Sequence, residues 1–96
     1  MRRTEKRLFA LTDEIARLHE ELRQTQAELD VLQHLDDDAV RDAAVGGPVE
    51  REDARETTRD VERFRRLVIN LSSTIDRLEA QRAALMTRLD RAGTEG

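Results

Sequence analysis

The sequence has no cysteine, tryptophan or tyrosine, and it has only one proline, two phenylalanines and four glycines. The absence of cysteine excludes disulfides and thiolate metal sites, which suits a reducing compartment. A thick globular core is not expected, because aromatic residues make up only 2% of the chain and such a core needs large side chains. Leu, Ile and Val can still build a thin seam between helices that few helix breakers interrupt.

The sequence also lacks the apolar runs of exported and membrane proteins. No apolar run follows Arg2 and Arg3, and no stretch approaches the ~20 apolar residues that span a bilayer. We therefore expect a cytoplasmic protein without a membrane partner. Its 96 residues allow at most one domain. Charged residues are 40% of the chain, which would suit disorder, but apolar periodicity argues against disorder.

Apolar residues recur at alternating spacings of three and four in both halves of the chain. In the first half they are Leu8, Leu11, Ile15, Leu18, Leu22, Leu29 and Leu32, with Thr25 as a polar exception. In the second half they are Val61, Phe64, Val68, Leu71, Ile75, Leu78, Leu85 and Leu89, with Arg82 as the exception. This heptad repeat is typical of a coiled coil, in which the repeated residues occupy the facing a and d positions.

The two repeats mirror each other about the Gly46-Gly47 bond. Facing residues have numbers that add to 93, as for Leu8 with Leu85 and Leu32 with Val61. An a position of one helix always meets a d position of the other, as an antiparallel pair requires. The sequence therefore predicts an all-α fold, in which two long helices form an antiparallel coiled-coil hairpin that can dimerise into a four-helix bundle.

The residues around the glycines set the expected boundaries. Gly46 is expected to adopt the left-handed conformation that ends a helix, and Pro48 suits the first turn of the next helix. The predicted elements are helix 1 over about 3–44, a turn over 45–48, helix 2 over about 49–91 and a loose tail over 92–96.

Packing is predicted to weaken next to the turn. In the same register Asp36 would face Thr57, which would bury little apolar surface. The run Asp36-Asp37-Asp38 could interrupt helix 1, and Thr57-Thr58-Arg59-Asp60 has the form of a helix capping signal. Helix is favoured over residues 36–57, with a looser, frayed cap as the alternative.

The ionisable and nucleophilic residues form no recognisable catalytic or metal site. His19 and Ser72 fall at facing positions, but they lack an orienting acid and a pocket. His34 and Asp38 have an i, i+4 spacing, yet two ligands without a third do not make a metal site. We therefore expect no enzymatic activity, no cofactor and no small-molecule ligand.

Charge is distributed unevenly along the sequence. Residues 34–58, the acidic segment, contain eight acids and three bases, a net charge of -5. Residues 1–12 and 77–96, the basic segments, contain eight bases and four acids, a net charge of +4. Candidate docking residues are Asp36, Asp37, Asp38, Arg59, Arg63 and Arg66, although ordinary solvation also accounts for them. Nucleic-acid binding is the less favoured interpretation, because no aromatic residue is interleaved with the arginines.

Several apolar residues fall outside the predicted seam. Val31, Leu35 and Leu67 share one side of the hairpin, Phe9 and Met86 share the opposite side, and Ile69 also lies outside the seam. A two-helix hairpin buries one narrow stripe, so further burial against another chain is expected. These six residues are the predicted partner-binding residues.

Three motifs carry a family resemblance: Asp37-Asp38-Ala39, Pro48-Val49-Glu50-Arg51-Glu52 and Ile75-Asp76-Arg77-Leu78-Glu79. With the Leu-rich first arm, they resemble small coiled-coil hairpin proteins of actinobacteria, whose members mostly carry no assigned function. The resemblance implies the hairpin fold. The predicted function is a non-catalytic protein-protein interaction module that self-associates as an adaptor or structural element. A small transcription regulator that binds a sigma factor or RNA polymerase is the alternative.

Overall fold

The computed structural model describes residues 2–95, which form two α-helices. The first, α1, spans Arg3–Val45, and the second, α2, spans Pro48–Glu95. Together they confirm the predicted all-α helical hairpin, and no strand occurs among residues 2–95. Within this range, neither helix has a stretch that is both long and apolar enough to cross a membrane.

The second helix is longer than the sequence predicts. A loose tail is expected from residue 92, whereas α2 continues through Glu95. Gly93 is the residue of low helix propensity in this stretch, and one glycine weakens a helix by only ~1 kcal/mol. The helix therefore passes through it. Gly96, the last residue of the predicted tail, lies outside the described residues.

The helix pair divides into two compact units, each containing a segment of α1 and a segment of α2. We call Met1–Glu21 with Leu71–Gly96 the terminal unit and Leu22–Asn70 the turn unit. That the chain acts as a single domain stays a prediction.

The terminal unit is held together by a thin apolar seam. Leu11, Ile15 and Leu78 form its buried cluster, and Leu18 and Leu85 pack against it. All five occupy a or d positions of the predicted heptads. Leu11 is 0% exposed. Leu71 and Ile75 are also buried in this unit. Full burial of one such side chain contributes ~1.5–3 kcal/mol, so the buried seam residues are a substantial source of apolar stabilisation.

The turn unit has a smaller apolar core. Val61 is its one buried apolar side chain, and all of residues 22–70 are described. Other seam residues of this unit are only half-buried, among them Leu29, Leu32, Phe64 and Val68. Thr25 is buried in the same seam. No buried side-chain nitrogen or oxygen of the described residues lacks a hydrogen-bond partner.

A polar layer joins the two helices nearer the turn. The Thr58 hydroxyl donates to Asp36 Oδ1 at 2.7 Å, and the Thr57 hydroxyl lies 3.2 Å from the same oxygen. Thr57 Oγ1 is also 3.1 Å from the carbonyl oxygens of Asp53 and Ala54, so its one proton is shared among three acceptors. The predicted facing of Asp36 and Thr57 is therefore confirmed.

The capping role predicted for Thr57-Thr58-Arg59-Asp60 is wrong. These residues lie inside α2, which begins at Pro48. Their hydroxyls have acceptors on α1 and in the preceding turn of α2, so they do not compete with the helix for its own amides. Both flanks of the turn are helical, since α1 continues to Val45.

The turn itself is capped by side chains from α2. The Gly47 amide donates to Glu50 Oε2 at 2.8 Å, and the first helical bond joins the Arg51 amide to the Gly47 carbonyl at 3.1 Å. This is the Glu half of a capping box. Arg51 Nη1 donates to the Gly46 carbonyl at 3.3 Å, which satisfies an acceptor that α1 leaves open.

The left-handed conformation predicted for Gly46 is wrong, because no described glycine has a positive φ. Gly46 is required by close approach instead. A Cβ at this position would lie 2.7 Å from the Glu50 Cβ and 2.8 Å from the Asp42 carbonyl oxygen. At Gly47 the nearest atom would be Glu50 Oε2, at 3.5 Å, and at Gly93 no atom lies within 4 Å.

We predict that Gly46→Ala destabilises the protein by about 1 to 3 kcal/mol, the usual range for an inserted methyl group that neighbouring atoms cannot accommodate. Gly47→Ala should be less harmful, and Gly93→Ala should be neutral or stabilising by up to about 1 kcal/mol, because alanine is the better helix former. Thermal unfolding of the three variants, followed by circular dichroism at one protein concentration, measures the order of their stabilities. Equal losses at Gly46 and Gly93 would contradict the steric explanation.

We also predict that Asp36 and Thr58 stabilise the turn unit as a pair. A hydrogen bond to a charged group contributes about 1.5 to 3 kcal/mol, with the lower end expected at this partly exposed site. A double-mutant cycle with Asp36→Ala and Thr58→Val in urea unfolding should therefore give a coupling of about 1 kcal/mol. Thr12→Val is the control, since the Thr12 hydroxyl bonds only the Leu8 carbonyl of its own helix. Zero coupling would show that the polar layer contributes nothing.

Candidate protein-interaction surfaces

The six apolar residues predicted to bind a partner are all exposed in the structure. They lie at helix positions outside the a and d seam, so the packing of α1 on α2 cannot cover them. The set comprises Phe9, Val31, Leu35, Leu67, Ile69 and Met86. Their exposure leaves them available to another chain, and their role in binding stays a prediction.

The terminal unit brings two of these residues to one groove. Phe9 and Met86 line it together with Leu8, Thr12 and Arg82. We call this the Phe9–Met86 groove. Its walls are mainly apolar, and a half-buried arginine side chain belongs to its lining. The groove therefore offers both apolar contact area and a positive charge.

The turn unit has a groove of the opposite charge. It is lined by the apolar residues Leu35 and Ala39 and by four carboxylates, those of Asp38, Asp42, Glu50 and Asp53. We call this the acidic groove. Val31, Leu67 and Ile69 are not part of its lining, so Leu35 is the one predicted partner-binding residue located there.

Three valines outside the predicted partner-binding set are also exposed. Val40, Val45 and Val49 are 53%, 90% and 70% exposed, and the last two flank the Gly46-Gly47 turn. All three lie in the acidic segment. The heptad register predicts their exposure, because all three valines fall outside the a and d positions when the register is continued toward the turn.

The three candidate docking aspartates differ in their surroundings. Asp36 is half-buried at an a position and accepts hydrogen bonds from Thr57 and Thr58 of α2, and its role in docking stays a prediction. Asp38 lies 3.6 Å from the Arg41 guanidinium, one helical turn away. Asp37 is exposed. The acidic character of the surface therefore depends on Asp37, Asp38 and the other carboxylates of the acidic groove.

Two of the three candidate docking arginines have acidic neighbours. Arg63 is 3.1 Å from Asp60, and its guanidinium carbon lies 6.0 Å from the centre of the Phe64 ring. Arg59 lines a shallow groove that also contains Glu62. Arg66 is exposed. Acids therefore lie beside Arg59 and Arg63, and nucleic-acid binding stays the less favoured prediction.

The two histidines have contacts that the sequence did not predict. His19 Nε2 lies 3.1 Å from Glu79 Oε1 on the other helix of the terminal unit, whereas Ser72 was its expected neighbour. His34 Nδ1 donates to the Asp30 carbonyl oxygen at 2.7 Å, since a carbonyl can only accept. Within residues 2–95, no three potential metal ligands of the His, Cys, Asp and Glu types cluster together.

Arg82 replaces an apolar residue in the seam, at the position expected to face Leu11. Leu11 is nevertheless fully buried, and Arg82 is half-buried. This agrees with the expectation that the arginine stem covers apolar surface while its guanidinium reaches water.

We predict that Arg82→Leu raises the melting temperature, because a leucine would extend the buried seam by roughly 25 cal/mol for each Å² of apolar surface removed from water. Arg77→Leu is the matched control at an exposed position, where no rise is expected. Thermal unfolding at several protein concentrations separates this effect from a change in self-association. An unchanged or lower melting temperature would show that Arg82 stabilises the groove in another way.

Comparisons with protein-family models, with curated proteins and with solved structures give no match. The resemblance to actinobacterial coiled-coil hairpins accordingly stays a prediction made from the sequence motifs. The features that bear on function are therefore the exposed surfaces of the two units, namely the Phe9–Met86 groove, the acidic groove and the apolar residues outside them.

Proposed function

We propose that the protein is a non-catalytic coiled-coil interaction module that self-associates, with a role as an adaptor or a structural element. The observation that supports this proposal is the balance of its apolar side chains. Six apolar side chains are buried in the described residues, whereas nine large ones are exposed. Isolated exposed apolar residues are normal on a soluble surface, but here they outnumber the core.

A second copy is the simplest cover for these residues. A pair of helices has one face in its own seam and leaves the remaining faces to water, and four-helix bundles bury a second stripe by bringing two such pairs together. Exposed apolar residues occur in both units, including Phe9 and Met86 in one and Leu35 and Leu67 in the other. A dimer would therefore remove apolar surface from water in both units.

The contacts of the reactive side chains also favour a binding role over catalysis. His19 is engaged with Glu79 and His34 with a backbone carbonyl. Neither arrangement aligns a base with a nucleophile, which covalent catalysis by a side chain requires. Proteins of this kind act by presenting surface to other chains, and their specificity comes from which apolar and charged side chains they expose.

We predict that the protein sediments as a dimer, at about twice the chain mass of 11.1 kDa, and that it dissociates on dilution. Replacing Val31, Leu35 and Leu67 together with glutamine should shift the equilibrium toward the monomer, since the apolar area that drives association is removed. Sedimentation equilibrium over a range of concentrations measures both effects.

The control carries the same number of new glutamines at the exposed alanines Ala10, Ala27 and Ala44. It should dimerise like the unmodified protein, because no large apolar side chain is lost. A monomer at every concentration would contradict self-association. A dimer that the apolar variant leaves unchanged would show that these three residues are not in the interface.

A further inference from the structure

The Phe9–Met86 groove lies wholly within the terminal unit and is lined by residues of both helices. Phe9 comes from α1 and Met86 from α2, and the two residues are 58% and 51% exposed. Leu8 and Arg82, which both occupy a positions of the seam, complete the lining together with Thr12. Only a surface from outside the helix pair can therefore remove these two large apolar side chains from water.

The lining has the composition of a protein-protein interface core. Aromatic residues, methionine and arginine are enriched in such cores, whereas lysine, glutamate and aspartate are depleted. Phe9, Met86 and Arg82 belong to the enriched types, and none of the five lining residues is acidic or a lysine. The groove therefore has both the anchoring residue types and the local charge of a surface that binds another protein.

Arg82 is an unexpected residue at its position. It is the one charged residue at an a or d position of the terminal unit, where a leucine would bury more apolar surface. The side chain is half-buried, and within residues 2–95 its guanidinium has no hydrogen bond or ion pair. Residues that break a packing rule without a compensating contact are expected mainly at functional sites. The unpaired cation therefore points to an anionic group of a partner.

We propose that the Phe9–Met86 groove binds an acidic amphipathic α-helix of another protein. A third helix suits a groove between two helices, because the side-chain ridges of one helix pack into the grooves of another. Apolar residues at positions i, i+3 or i+4, and i+7 of the bound helix would contact Phe9 and Met86, as in other helix-in-groove complexes. An Asp or Glu beside this apolar stripe would pair with Arg82 and supply the charge that the lining lacks.

Other occupants fit the groove less well. In a two-fold contact the same patch lies on both sides, so a second copy centred on the groove would bring two Arg82 guanidiniums together without a carboxylate from either lining. A small apolar acid would leave much of its surface in water, because Phe9 and Met86 are exposed walls, whereas small-molecule sites bury most of their ligand. The proposal goes beyond self-association and does not depend on it, since a monomer has the same groove.

A displayed library of helical peptides tests the chemistry of the partner. Every peptide carries leucine at positions i, i+3, i+4 and i+7, and the residues that flank this stripe are randomised. Selection against the immobilised full chain should enrich Asp and Glu at the flanking positions. Fluorescence anisotropy then gives the dissociation constant of the selected peptide in solution. A selection that yields no binder, or only binders with neutral or basic flanks, would overturn the proposal.

The location of the site is tested with two double variants of the protein. Phe9→Gln with Met86→Gln should raise the dissociation constant of the selected peptide at least tenfold, because both apolar anchors are lost. Val31→Gln with Ile69→Gln is the matched control, since it removes two exposed apolar side chains that are not in the lining. It should leave peptide binding unchanged. Binding that survives the loss of Phe9 and Met86 would overturn the assignment of the groove.

The role of Arg82 is tested separately from that of the apolar walls. Arg82→Gln should raise the dissociation constant about tenfold at low salt, which corresponds to ~1.4 kcal/mol, and less at high salt because of screening. Arg82→Lys should retain most of the affinity, since it keeps the charge. Arg77→Gln, at an exposed position outside the lining, should have little effect. Equal losses for Arg82→Gln and Arg77→Gln would overturn the pairing with Arg82.

Reversing both charges provides a rescue experiment. A version of the selected peptide with lysine in place of its Asp and Glu residues should bind the Arg82→Glu protein more tightly than it binds the unmodified protein. Circular dichroism checks that Arg82→Glu keeps the helix content. The opposite order of affinities in a folded variant would contradict a charge pair at this position.

The outcomes for this proposal and for self-association are distinguishable. A chain that sediments as a dimer but has no acidic-helix binding at the groove would overturn the present proposal alone. A chain that sediments as a monomer and binds the peptide through Phe9, Met86 and Arg82 would support the present proposal while contradicting self-association.

Discussion

Leu11, Ile15 and Leu78 lose their contact with water only because α1 and α2 meet along their a and d positions, and the rest of the terminal unit depends on that contact. Helices of such polar composition gain little from propensity alone, since helical stability in proteins comes mostly from packing of an apolar face. The hydrogen bonds of His19 with Glu79 and of Arg7 with Gln81 also join the two helices of this unit, but they are exposed, and exposed pairs contribute little. They follow the register that the seam sets.

Polar residues in the seam lower the stability of the helix pair but can fix its register. Asp36 binds Thr57 and Thr58 across the helix pair, and it would lose these partners if either helix shifted by one turn. Arg82 occupies the seam in a different way, since it is half-buried at an a position, where an arginine stem can cover apolar surface while its guanidinium reaches solvent. A purely apolar seam would be more stable, but it would tolerate neighbouring registers, as coiled coils with uniform a and d positions do.

The heptad period explains why the fold was readable from the sequence. The spacing of the leucines specifies which residues face each other, and therefore also which apolar residues remain outside, such as Phe9 and Leu35. Details that depend on atomic approach were not readable. Gly46 is needed for the space beside Glu50 and Asp42, which no spacing rule reveals. Thr57 and Thr58 form part of a capping motif in the sequence, but in the structure their hydroxyls donate to the Asp53 carbonyl and to the Asp36 carboxylate. Which molecule covers the exposed surfaces depends on the surface of that molecule. The heptad period of this chain carries no information about it.

The location of the buried cluster also bears on how quickly the chain folds. Leu11 and Leu78 are in the same buried cluster, yet they are 67 residues apart in the chain. Residues close in sequence across the turn meet instead in layers with little apolar surface, such as that of Asp36 and Thr58. The early local contacts are therefore the weak ones, and the strongest contacts require closure of a long loop. For a two-helix protein this gives a high contact order, and folding is expected to be slower than in a hairpin whose best layers adjoin its turn.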